Sequence, residues 1–219
     1  MRLSNAALTV AQEQPPLADR RARPAIALCR RPSESRSRII ETAERLVRQF
    51  GHQKTTVADI ARTLSMSSAN IYRFFRSKDA INEAVCRRLL GDVIAVAAEF
   101  AQRNGTAKDN LRALLIELAR INAERYRKDK ALHQLLALAA SENWPAVTDY
   151  VERMESIVAA IIADGTRRGE FCNRDARRAG RCVHTAMLRH LHPNLVSECD
   201  GAGQPSLGEM VDFCLAALR

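Results

Sequence analysis

The sequence predicts an all-α chain, and three observations carry that expectation. From about Glu34 to the C-terminus, apolar residues recur at three- and four-residue spacing. Hydroxyl capping residues and Gly or Pro stops divide this pattern into segments of helical length. No stretch gives a convincing strand.

In chain order, residues 1–33 lack periodicity. They carry Pro15, Pro16, Pro24 and Pro32 among Arg20, Arg21, Arg23, Arg30 and Arg31. They read as a disordered basic arm that could touch a nucleic-acid backbone or minor groove, the plainer alternative being an extension without a role. The first helix spans about Glu34 to Phe50, with Ile39, Ala43, Leu46, Val47 and Phe50 inside, Arg36, Arg38, Arg45 and Arg48 outside, and Gly51 as its stop. The second follows a Thr56 cap, with Val57, Ile60, Ala61 and Leu64 inside and Asp59 at its positive end. Ser65-Met66-Ser67-Ser68 breaks the pattern. A third short helix, Ala69 to Phe75, turns Ile71 and Phe74 inward and leaves Asn70 and Arg73 outside.

The fourth helix starts near Lys78 and runs to Phe100, with Gly91 a weak point. Asn104-Gly105 interrupts it, and Thr106 to Asp109 is a capping signal for a fifth helix reaching about Lys128. The sixth covers about Lys130 to Ser141. Trp144-Pro145 closes it and opens the seventh, which Gly169 stops. Asn173 caps an eighth helix ending before Pro193. After a polar loop from Asn194 to Pro205, Ser206 to Glu209 is a second capping signal, for a ninth helix with Leu207, Met210, Val211, Cys214 and Leu218. The expected division is a basic arm over 1–33, a three-helix unit over 34–80 and a helical regulatory and dimerisation unit over 81–219.

A helix, a tight turn and a second short helix with an exposed polar face is the geometry that fits the major groove of DNA. Charge supports that reading through its location. Of the 34 basic and 25 acidic residues, residues 1–90 hold 17 and 8, a net +9. Residues 91–219 hold 17 and 17 and are neutral. The excess positive charge therefore coincides with the helix-turn-helix. No apolar run is long enough to span a membrane, and a secretory leader is not expected. The six cysteines have no zinc or disulfide spacing, and free thiols in a reducing cytoplasm are the simpler reading. His184, His190 and His192 lack the spacing of helical zinc ligands, so neither metal nor cofactor is expected. No catalytic motif is present, and Glu152 and Glu155 read as a solvated helix face, so the chain is not expected to be an enzyme.

The runs Phe50 to Ala61, Ser67 to Phe75 and Ser77 to Ile81 resemble the N-terminal domain of TetR-family transcriptional regulators. The resemblance covers about Ser35 to Leu90. It implies nine helices, an N-terminal DNA-binding domain and a C-terminal ligand-binding and dimerisation domain. Carried over by position, it places Thr56 on a phosphate, Ser67, Ser68, Ala69 and Asn70 at the start of the recognition helix, and Tyr72 and Lys78 on the DNA backbone. Asn suits adenine and an Ala methyl suits thymine. Two positions depart from the family: Ser65 stands where glycine is common, and Arg73 where histidine or an aromatic is, available to phosphate or guanine.

The family also implies a dimer on a roughly palindromic operator, since one short helix reads few base pairs. The eighth and ninth helices are the interface expected, through the stripe Ala176, Gly180, Val183 and Met187 and the apolar face of the ninth. The plain alternative is packing within one subunit. A small-molecule effector would occupy a cavity among the fourth to eighth helices, with Phe100, Tyr126, His133, Trp144, Tyr150, Met154 and Phe171 as candidate contacts. The plain alternative for each is core packing. Aliphatic helices favour an apolar effector, and a helix-turn-helix without an activation surface favours repression. The other reading is a redox sensor acting through Cys86, whose default role is a small core residue.

Overall fold

The computed structural model describes residues 32–172, 175–195 and 203–219. Among them the chain forms ten helices and no strand. They are α1 (Pro32–Phe50), α2 (Val57–Thr63), α3 (Ser68–Tyr72), α4 (Lys78–Gln102), α5 (Ala107–Lys128), α6 (Lys130–Ser141), α7 (Pro145–Arg167), α8 (Ala176–Ala186), α9 (Leu188–Leu191) and α10 (Leu207–Ala216). Residues 1–31 of the expected basic arm and the expected cap Asn173 lie outside the described residues.

Side-chain caps fix most of the helix starts. Thr56 accepts from the Asp59 amide and Asp59 answers to the Thr56 amide, a reciprocal box that opens α2. Ser206 and Glu209 repeat it at α10. Ser67, Ser77, Thr106 and Asp175 cap α3, α4, α5 and α8. Pro145 occupies the first turn of α7, where its missing N–H costs nothing. Gly51 and Gly169 stand at φ 86° and 75° after α1 and α7, the left-handed geometry that ends a helix. α4 runs unbroken through Gly91.

Four expectations change. The expected eighth helix is two, because Met187 (φ −88°, ψ −1°) caps α8 and α9 restarts at Leu188; the expected ninth helix is α10. The third helix spans only Ser68–Tyr72. Phe74 is half-buried and Phe75 takes the deeper core position. Phe50, the last residue of α1, is 52% exposed and not a core residue.

Two apolar cores organise the helices. One gathers Ile39, Val47, Ile60, Ile71, Phe75 and Val85 from α1 to α4, and it extends to Leu132, Leu135, Leu136 and Ala139 of α6. The other joins α4, α5, α7, α8, α9 and α10 around Leu111, Leu118, Met154 and Ile162. Complete burial of Ile71 contributes about 2–3 kcal/mol and seats α3 on its neighbours. Thus α6 belongs to the same core as the helix-turn-helix, although 57 residues (73–129) separate them in sequence.

Candidate nucleic-acid interface and internal cavity

The turn between α2 and α3 is a Schellman motif. The Met66 amide donates to the Ala61 carbonyl (2.8 Å) and the Ser65 amide to the Arg62 carbonyl (3.1 Å). Ser65 takes the left-handed position at φ 54°, so the conformation a glycine would adopt there is kept by a serine. α3 then starts at Ser67, whose hydroxyl accepts from the Asn70 amide (3.2 Å). Ile71 is buried, while Ala69, Tyr72 and Arg73 are exposed and Ser68 and Asn70 half-exposed. Tyr72, expected on the DNA backbone, is 51% exposed and is not a core residue.

Thr56 is exposed, and its hydroxyl donates to the Asp59 carboxylate (2.7 Å). That bond holds Asp59 below the usual carboxylate range. A phosphate at Thr56 would share the hydroxyl with Asp59. Lys78 donates from Nζ to the Gln53 carbonyl (3.0 Å), tying the α1–α2 loop to the start of α4.

Two arginines outside the expected set complete this surface. Arg36 donates to the Phe74 carbonyl (2.9 Å), and its guanidinium lies 4.1 Å from the centre of the Phe75 ring. It latches α1 to the residues that follow α3. Its sequence position on the polar face of an amphipathic helix gave no sign of that. Arg76 is exposed beside Arg73 in a depression that Arg36 also lines. Its signal was present in the sequence, three residues after Arg73.

A second concavity lies among α4, α5, α6, α7 and the α8–α9 segment. It is a cavity of about 60 Å³, lined by Leu90 and Val93 of α4, Asn122 and Arg125 of α5, and His133 and Leu136 of α6. Val147, Tyr150 and Val151 of α7 line it as well, with His184, Leu188, Leu191 and His192. Of the seven expected ligand contacts, it gathers His133 and Tyr150. Met154 and Phe171 are buried in the second core and Phe100 packs against it. Trp144 packs against the first core and donates to Glu142 (2.8 Å). Tyr126 is exposed, edge-on to His133 at 5.1 Å between ring centres. Burial holds the pKa values of His133, His184 and His192 below the ordinary imidazole value. It pushes the Tyr150 hydroxyl up to about 12. The Asn122 side chain donates to the Leu118 and Leu191 carbonyls (3.2 and 3.0 Å), joining α5 to α9 at the cavity wall. Arg125 and Asn122 were missed because both sit in a polar run that reads as solvent-facing.

Cys86 is wholly buried, and desolvation pushes its thiol up to about 12. A sensor thiol must be exposed and ionised, so the redox reading is not favoured. Among the described residues, no three His, Cys, Asp or Glu side chains group as metal ligands would. No described helix is long and apolar enough to cross a membrane.

The stripe named for subunit contact faces inward. Val183 and Met187 are buried in the second core, and a Cβ on Gly180 would stand 2.9 Å from the Glu155 carbonyl oxygen of α7. The open apolar face is a groove of about 350 Å³ between α8 and α10, lined by Cys182, Ala186, Ala217 and Phe213, the last 64% exposed.

These features define a helix-turn-helix regulator with an internal cavity. Residues 39–85 match the family model of bacterial regulatory proteins of the tetR family, and residues 107–206 match that of the tetracyclin repressor-like C-terminal domain. The chain belongs to the TetR family and is a DNA-binding transcriptional regulator. It is 26% identical over 139 residues to the uncharacterized HTH-type transcriptional regulator YhgD of Bacillus subtilis, covering 60% of this chain and 69% of that one. It is 23% identical over 144 residues to the HTH-type transcriptional repressor KstR2 of Rhodococcus jostii, covering 64% and 69%. Its fold is similar to that of Thermus thermophilus FadR, a TetR-family repressor solved with lauroyl-CoA (TM-score 0.60, 21% identity, 84% of this chain and 92% of that chain).

Proposed function

We propose that the protein is a cytoplasmic, non-enzymatic repressor that binds a near-palindromic operator as a dimer and releases it when a small effector fills the α4–α9 cavity. Residues 34–80 act as the reading head and 81–219 as the regulatory and dimerisation unit. Ser67, Ser68, Ala69 and Asn70 meet base edges. Thr56, Tyr72 and Lys78 meet the backbone, and Arg73 meets either. The α8–α10 groove, with Phe213 at its centre, receives the partner subunit. The similarity to KstR2, itself a repressor, supports repression.

The observation that carries the effector reading is the position of α6. His133 and Leu136 line the cavity, while Leu132, Leu135 and Leu136 belong to the core that seats α3. An occupant that displaces α6 acts on the reading head through side chains already in contact. Only a compound with different affinities for the two arrangements can shift their balance.

Footprinting on the DNA upstream of the protein's own gene tests this. The expected result is protection of two half-sites about one helical turn apart, with binding that weakens steeply as salt rises. Asn70→Ala should remove specific protection and leave non-specific binding. Salt-insensitive binding, or a monomer at micromolar concentration, would contradict the reading.

A further inference from the structure

The cavity holds a charge that no group among the described residues answers. Arg125, near the end of α5, is half-buried and lines the cavity. Its guanidinium makes no hydrogen bond and no ion pair among the described residues. The nearby carboxylates, Asp92 and Asp129, act on it only at longer range. Asp129 is already engaged by Arg48 at 2.7 Å, and Asp92 is exposed on α4. Tyr150 also lines the cavity, interacts electrostatically with Arg125, and has a hydroxyl with no hydrogen-bond partner among the described residues.

The charge count is specific. An arginine stays protonated even where burial lowers its pKa, as it does here. The three cavity histidines are held toward their neutral forms by burial. The cavity therefore offers one full positive charge and neutral donors. The remaining wall is apolar, made of Val93, Leu136, Val147, Val151, Leu188 and Leu191. A charge withdrawn from water and left without a partner is costly, and such groups cluster where a ligand supplies the partner.

We infer that the effector is a compact monoanionic carboxylic acid with an apolar body, its carboxylate received by Arg125 and the Tyr150 hydroxyl. This rests on the reading of the cavity as the effector site. A phosphate dianion would bring two negative charges to one cation and leave one unanswered. A neutral apolar compound would leave the guanidinium without a partner. The present 60 Å³ is well below the roughly 300–1,000 Å³ of small-molecule pockets, so binding even a small acid requires movement in a wall that includes Leu136 of α6.

The test uses the full chain, with benzoate and hexanoate as probes and benzamide and 1-hexanol as their neutral counterparts, followed by calorimetry. Both acids should bind at least tenfold more tightly than their counterparts. Arg125→Met should weaken the acids about 10- to 100-fold and erase the discrimination. Without any ligand, Arg125→Met should unfold about 2–4 °C higher than the parent, because it removes an unanswered charge and keeps the stem. Neutral compounds binding as tightly as the acids, or a lower unfolding temperature for unliganded Arg125→Met, would overturn the inference. Val151→Phe fills the cavity and separates the two levels. If it blocks the acids while Arg125→Met leaves their affinity unchanged, the charge assignment fails and the cavity reading stands. If neither variant alters acid binding, the cavity reading fails as well.

Discussion

Replacing Ser65 with glycine should stabilise the protein, and the magnitude follows from two opposed terms. Ser65 holds φ at 54° in the Schellman turn between α2 and α3. For a residue with a Cβ that region costs about 1–2 kcal/mol. Its side chain is exposed and makes no hydrogen bond among the described residues that would offset the cost. Glycine removes the steric term but adds freedom to the unfolded chain, which takes back about 0.4–1 kcal/mol. The net gain is about 0.5–1 kcal/mol, or about 1–4 °C in Tm for a chain of this size. Urea titration gives the free energy and calorimetry the Tm. Ser65→Ala is the control: it removes the hydroxyl and keeps the Cβ, so it should change stability by less than about 0.5 kcal/mol. If Ser65→Ala stabilises as much as Ser65→Gly, the left-handed backbone is not the cause. If Ser65→Gly lowers Tm, the turn is held by something other than the two backbone bonds.

Three further outcomes can be checked alongside it. Gly165→Ala should destabilise by about 1–3 kcal/mol in urea titration, since the new Cβ would lie 2.4 Å from the Phe171 ring and 2.7 Å from the Ala107 Cβ in a closed core. In thiol titration of the native protein, Cys172 should react readily, while Cys86, buried with its pKa near 12, should react only on unfolding. All five histidines are held below their ordinary pKa with burial the first cause, so the unfolded chain binds more protons than the folded one as pH falls through 6.5. Stability should therefore be fully present above that value and decline from about pH 7 to 5; a Tm that rises over this interval would contradict the assignment.

The helical frame was readable because its punctuation is local. Thr56, Thr106 and Ser206 cap their own helices, and Gly51, Pro145 and Gly169 stop or start them through their own backbone preferences. The break at Met187 was not readable, since no Gly or Pro marks it and the apolar periodicity continues through Leu191. The reading head was legible for the same local reason: two short helices and a serine-rich turn form one contiguous string. The cavity was not, because enclosure is a property of packing. Arg125 lies in Ala123-Glu124-Arg125-Tyr126-Arg127-Lys128, a run that by composition faces water. Glu124 and Lys128 do pair at the surface (2.6 Å), but Arg125, on another side of α5, is covered by α4 and α7. Gly180 misled in the opposite direction. Small residues permit close approach of helices, and here the approach is to α7 of the same subunit.

On the proposed effector reading, the same packing links this small cavity to the recognition helix. Leu136 is 4% exposed and belongs to the core that holds Ile71, yet it also forms part of the cavity wall. Leu90 of α4 and Val147 of α7 share that double membership. Close-packed interiors do not absorb an added group by local compression; they shift whole elements between discrete arrangements. α6 begins after Asp129 without a side-chain cap. Its tie to α1 at that end is the half-exposed Arg48–Asp129 pair, which is worth little in water. On that reading, an occupant that pushes Leu136 passes the displacement through α6 to the core under α1 and α3. Replacing Leu136 with alanine should then uncouple the two sites, leaving operator binding in place and reducing release by any cavity ligand, and retention of full release would show that the signal travels through α4 instead.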